Sequence, residues 1–218
     1  MTEPVTRSWD DRRHNGASGV IIGALAGILL GMLAAGLPGC GDNGSGPSGD
    51  DGLITQAWAK FEGGQFEAAL STFEEAAGGE GERAEAYNGM GWCYMKIDSL
   101  QAGLDAFDQA LSEGLSSADP RAGKALIYRD ITPADFQNAI DWAYEALRKD
   151  AHYVFSHDTS LDWKDLRLVR AQSYFALARY LSAKFEIDIL NPENHLNPGS
   201  ATFVEDLLAE IQRLGEAT

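Results

Sequence analysis

The sequence predicts an all-α chain, with about four helical hairpins stacked side by side and one further helix closing the stack. Three observations predict it. From Leu53 onward, segments resemble one another at a spacing of 34 residues, and periods of this size mark stacked supersecondary units. Apolar runs of period two, the pattern of half-buried strands, are missing there. The chain ends in an amphipathic stretch behind Pro192 and Pro198, as a terminal cap would.

Taken in order, the chain opens with a polar segment in which Glu3, Asp10 and Asp11 offset Arg7, Arg12 and Arg13. Residues 19–37, GVIIGALAGILLGMLAAGL, carry no charge. A basic-containing segment, an apolar run and a small-residue zone follow the order of a secretory signal. Leu37-Pro38-Gly39-Cys40 then resembles the lipobox of bacterial lipoproteins, Leu-x-Gly-Cys, with Pro38 departing from the usual small or branched residue. The resemblance implies that residues 1–39 are a signal peptide and that Cys40 is the diacylglycerated first residue of the mature chain. Each buried acyl CH2 contributes about 0.8 kcal/mol, so two or three chains anchor stably where one does not. The alternative is an uncleaved single-span membrane protein, since a run of this length about suffices to cross a bilayer. Gly19, Gly23, Gly27, Gly31 and Gly36 make it a poor helix. Both readings place residues 41–218 in the cell envelope, at the outer membrane or periplasmic face rather than in the cytoplasm.

Residues 40–52 hold Gly, Ser, Asp, Asn and Pro with no aliphatic residue before Leu53, the composition of a flexible linker. Removing residues 1–39 removes three arginines and three acids, so the mature part keeps the formal charge of −16. Such a chain repels phosphate backbones and is not expected to bind nucleic acid. Cys93 is the cysteine left beside Cys40, so no disulfide framework is expected. It reads as a small buried hydrophobe, because a catalytic thiol needs a base and an electropositive setting.

The repeat begins at Leu53. Trp58, Phe66, Phe73 and Ala76 lie 34 residues before Trp92, Leu100, Phe107 and Ala110. Small residues recur as well, Ala57 with Gly91 and Ala69 with Gly103. A third copy places Phe136, Ala139 and Ala146 36 residues after Leu100, Gly103 and Ala110. The extra residues fall in the turn around Pro133. A fourth copy carries Ala171, Tyr174, Tyr180 and Ala183 after an insert at residues 150–163. The small residues let helices approach closely, and the aromatics fill the gap between hairpins. One hairpin cannot bury its apolar face alone, so at least about three must stack.

This pattern resembles the tetratricopeptide repeat (TPR) family. Tyr87, Met90, Gly91, Tyr94, Gly103, Phe107 and Ala110 of the second copy match its motif positions best. Lys60 departs from it where an aromatic is usual, and so does Ala143 in the third copy. The resemblance implies a right-handed α–α superhelix over residues 53–190, with hairpins at about 53–84, 85–118, 119–150 and 164–190. It further implies a groove, lined by the first helix of each hairpin, that binds a protein or peptide partner. Carried over, the groove residues are Ile54, Trp58 and Phe61; Asn88, Trp92 and Met95; Leu126 and Arg129; and Leu168, Gln172 and Phe175. Glu62, Glu85, Asp130 and Asp165 would form an acidic border, which suits a ligand with apolar anchors and basic residues. The other reading is that Trp58 and Trp92 are core, buried by a neighbouring hairpin or by the terminal helix.

Residues 199–216 read as a capping helix. Thr202 to Glu205 has the form of a capping box, and Phe203, Leu207, Leu208, Ile211 and Leu214 mark one apolar stripe. In the insert, His152, Tyr153, His157 and Asp158 raise the question of a metal. The histidine spacing does not face one side of a helix, and no second cluster completes a shell, so neither metal nor cofactor is expected. Phosphate loops, serine elbows and zinc-protease motifs do not occur. The expectation is therefore a membrane-anchored scaffold without catalysis of its own, part of an assembly, secretion or transport complex. An envelope substrate-binding or enzymatic protein using the insert or the acidic groove is the alternative, and a self-associating structural module is a third reading.

Overall fold

The computed structural model describes residues 49–217, apart from Glu80 and Thr132. The apolar run 19–37, the lipobox and Cys40 lie outside the described residues. Among the described residues there are nine helices: α1 (Gly49–Glu62), α2 (Phe66–Ala77), α3 (Arg83–Lys96), α4 (Leu100–Ser112), α5 (Asp119–Asp130), α6 (Phe136–Lys149), α7 (Trp163–Ala176), α8 (Tyr180–Leu190) and α9 (Phe203–Ala217). They pair as four hairpins, α1/α2 to α7/α8, and each hairpin stacks on the next. Helix α1 starts at Gly49, inside the stretch expected as linker, and α7 starts at Trp163, so that residue leaves the expected insert. No helix among the described residues is long and apolar enough to cross a membrane.

The hairpin turns repeat a backbone device. Gly64 (φ 72°), Asp98 (φ 60°) and Ala178 (φ 56°) occupy the same turn position in the first, second and fourth hairpins, all with positive φ. The left-handed residue ends one helix and aims the chain back for the next. The third hairpin turns differently. Asp135 caps α6 there, its side chain accepting from the Asn138 backbone N–H at 3.1 Å.

Between hairpins the aromatics act as wedges. Phe107 is fully buried against Gly91 of its own hairpin and Gly123 of the next. A Cβ at either glycine would come within 2.5 and 2.2 Å of the ring. The small residues are therefore required by close approach. Lys60, the residue out of pattern in the first copy, donates from Nζ to the Thr72 hydroxyl at 2.6 Å and so bridges α1 and α2.

The last hairpin is held in two ways. Glu186 is fully buried between Arg167 and Arg170, with N–O separations of 2.8 and 2.9 Å. Helix α9 then covers the end, where Phe203, Leu207 and Ile211 close on Leu168, Ala171, Ala183 and Ile187. Its start differs from the expected box: the Thr202 hydroxyl donates to Asp206 at 2.8 Å. A capping box does open α7, where Asp162 and Asp165 each bond the other's end of the first turn.

Candidate functional site

Helical spacing puts the expected groove residues on one face of each first helix. Ile54, Trp58 and Phe61 lie four and three residues apart on α1; Glu85, Asn88, Trp92 and Lys96 follow the same rule on α3. The rings of the first two hairpins meet edge to face. Trp58 lies 4.8 Å from Phe73 and 5.4 Å from Phe61, and Trp92 lies 5.5 Å from Phe107. Such contacts fix ring orientation as well as burying area.

The groove is not open, which corrects the expectation of a free aromatic surface. Residues 150–162 fold back over α1 and α3 and occupy it. Phe155 stacks on Trp92 at 4.1 Å with an interplanar angle of 21°, and its edge meets Trp58 and Phe61, each at 6.0 Å. The His157 ring lies flat on Trp58, 3.7 Å away at 2°. Ile54, Trp58, Phe61, Asn88, Trp92, Leu126, Arg129 and Leu168 are all buried, while Met95, Gln172 and Phe175 keep partial exposure. Of the two readings of the tryptophans, burial holds: Phe73, Glu85 and Phe107 of the hairpins contribute to it, and the insert completes the cover.

The insert is built to do this. Tyr153 and Phe155 alternate with exposed Val154, so an extended backbone turns both rings to one side. An isolated antiparallel bridge joins Val154 to Asp162. Phe155 N–H donates to Leu161 C=O at 2.9 Å and Trp163 N–H to Tyr153 C=O at 2.7 Å, clasping the loop at its base. Leu161, whose carbonyl closes the clasp, is itself fully buried.

Polar contacts surround the rings. His157 Nδ1 lies 2.8 Å from Glu62 Oε1, and Lys96 Nζ lies 3.5 Å from Asp158 Oδ2. Trp58 Nε1–H donates to Glu85 Oε1 at 3.1 Å, with the Asn88 amide at 3.4 Å from the same oxygen. Burial outweighs these two donors and pushes the Glu85 carboxyl up to about 7. Burial also raises Asp119, against which Tyr153 lies. The expected acidic border is thus engaged. Glu62 and Glu85 bind groove or insert groups, Asp130 holds Arg129 through two bonds of 2.6 and 2.7 Å, and Asp165 caps α7.

The insert's two histidines part company. His157 sits on Trp58, whereas His152 meets the edge of Trp163. Among the described residues no three His, Cys, Asp or Glu side chains gather as metal ligands would. Burial pushes the Cys93 thiol up to about 12, which keeps it protonated and inert.

Sequence reasoning missed Phe155 and Leu161. The signal was present in Tyr153-Val154-Phe155, a short run of aromatic and β-branched residues of the kind enriched in strands, inside a segment otherwise read for its histidines.

With this geometry in view, the fold can be compared with solved structures. YrrB, described as a TPR protein with an unusual peptide-binding site, matches with a TM-score of 0.55 at 15% identity, over 75% of this chain and 77% of its own. MamA matches with a TM-score of 0.53 at 15% identity, over 78% and 82%. A thermophilic TPR protein from Thermus thermophilus matches with a TM-score of 0.52 at 16% identity, over 77% and 86%. No family model and no curated protein matches this sequence. The described residues thus have the all-α solenoid fold of TPR proteins.

Proposed function

We propose that this chain is a membrane-anchored interaction scaffold, held at an envelope membrane through a lipid on Cys40 and binding a protein or peptide partner on the face of its first helices. The observation that carries the reading is the occupied groove. An extended stretch of protein chain lies across α1 and α3 with its aromatic ring stacked on Trp92, so the face accommodates polypeptide. The fold supports it, since YrrB, which shares it, is described as having a peptide-binding site.

Affinity capture of the full-length chain from membranes tests both halves. The parent is expected to incorporate labelled palmitate and retain a partner that Trp92→Ala loses with its helical signal intact. Cys40→Ala is expected to take up no label. A parent that takes up no palmitate removes the anchor. Cross-linking in the native envelope that recovers no partner removes the scaffold.

A further inference from the structure

The insert fills the groove without completing it. Asn88 Oδ1 and Trp92 Nε1 are buried and have no hydrogen-bond partner among the described residues. Both residues are fully buried, one turn apart on the face of α3 that the insert covers. Buried polar atoms are paired in the great majority of cases, and an orphan calls for an explanation. One of these atoms accepts and the other donates. An extended backbone offers the complement, an N–H to Asn88 and a C=O to Trp92. The Phe155 ring, stacked on the indole, supplies neither.

The remaining contacts are of a kind a partner can replace. His157 meets Glu62 at the exposed edge of the groove. Glu62 meets His157 of the insert and Asp119 meets Tyr153, Glu85 lies beside Trp58, and Lys96 pairs with Asp158. The groove therefore favours a ligand that brings positive charge near Trp58 and keeps one acidic group for Lys96.

We propose that residues 152–161 are a displaceable internal ligand. The partner would be an extended peptide with an aromatic anchor in the place of Phe155 and a basic or imidazole group two residues later, over Trp58. This rests on the reading of the chain as a partner-binding scaffold. A groove closed by its own chain is competent only in the open fraction, so the apparent affinity falls by that fraction.

The test uses the full-length chain and a labelled synthetic peptide, AHYVFSHDTSL, which copies residues 151–161. Fluorescence anisotropy is read with the parent, with Phe155→Ala, and with a variant whose residues 152–161 are replaced by Gly and Ser at equal length. The replaced variant is expected to bind the peptide about tenfold or more tightly than the parent, as removal of an internal competitor requires. Adding Trp92→Ala should abolish that binding. Phe155→Ala keeps the loop and should fall between the two, so the test stands even where full replacement unfolds the chain. Equal affinity in parent and Phe155→Ala, or a folded replaced variant that does not bind, overturns the proposal. Membrane capture by the parent in that same case leaves the scaffold standing, so the two failures are told apart.

Discussion

Two apolar surfaces of the stack are covered differently. Beyond the last hairpin, α7/α8, the cover is a helix, and over the groove face of α1 and α3 it is a loop. Helix α9 satisfies its own backbone and brings Phe203, Leu207 and Ile211 at a spacing of four residues onto an apolar cluster. The insert has one isolated bridge and meets its surface with two rings, an imidazole and a carboxylate. It leaves an acceptor and a donor of α3 unanswered. The cluster that α9 covers is wholly apolar, so the helix closes it by packing alone. A loop that leaves polar groups orphaned closes the same kind of surface reversibly.

The largest expected effect comes from a matched pair of truncations. Phe107 and Phe155 are both fully buried, yet one is clamped between two hairpins and the other hangs from a loop. Phe107→Ala should cost about 3–5 kcal/mol, the range for a ring removed from a core that cannot collapse. Phe155→Ala should cost less than about 2 kcal/mol, because the loop can move into the space or leave it. Urea unfolding followed by far-UV circular dichroism gives both values. Equal costs would erase the distinction between hairpin core and loop cover.

Leu207→Ala probes the helical cover. Leu207 is fully buried against the last hairpin, and its truncation should cost about 2–4 kcal/mol. The loss should appear as faster hydrogen exchange in α7 and α8, with the amides of residues 153–161 unchanged. Exchange that rises equally in the insert would mean that the two covers act as one unit.

The hairpin architecture was legible because it rests on periodicity. Trp58 with Trp92 and Phe73 with Phe107 recur at a fixed spacing, and each recurrence maps to the same contact. The cap was legible for the same reason, through the stripe of Phe203, Leu207 and Ile211. The insert is not periodic, so its partners could not be read from spacing. His157 lies 95 residues from Glu62 in sequence, and only the fold brings them to 2.8 Å. Burial of Trp58 and Trp92 was one of the two readings open from the sequence, but the part the insert plays in it was not, because that depends on Phe155 and His157.

The loop-covered surface should also be the pH-sensitive one. Glu85 is raised from its ordinary value to about 7, chiefly by burial, with Asp119 and Glu82 adding repulsion and Asn88 and Trp58 donating to it. A carboxyl raised on folding binds its proton more tightly in the folded state. Its contribution is therefore fully present below about pH 4.5 and is lost as pH rises through about 7. The parent should lose about 2 kcal/mol between pH 5 and pH 8 through this group. Glu85→Gln keeps the acceptor for Trp58 Nε1–H and should remove that part of the slope. A slope unchanged in Glu85→Gln would show that the carboxyl is solvated and the loop open.

The smallest expected effect compares the turns of the two ends. Gly64 and Ala178 hold the same left-handed conformation, φ 72° and 56°, in the first and last hairpins. Glycine adopts it freely, whereas a Cβ meets the following carbonyl at a cost of about 1 kcal/mol. A Cβ at Gly64 would otherwise enter open space, so packing does not confuse the comparison. Gly64→Ala should therefore destabilise by about 1 kcal/mol, and Ala178→Gly should stabilise by a similar or smaller amount, since glycine also frees the unfolded chain. Thermal unfolding of the two variants and of their combination gives the sign of each. The turns are far apart in the stack, so the two effects should add. Strain at Ala178 is carried by the end that α9 holds. An Ala178→Gly variant that gains nothing would show that the cap imposes no strain on its own turn.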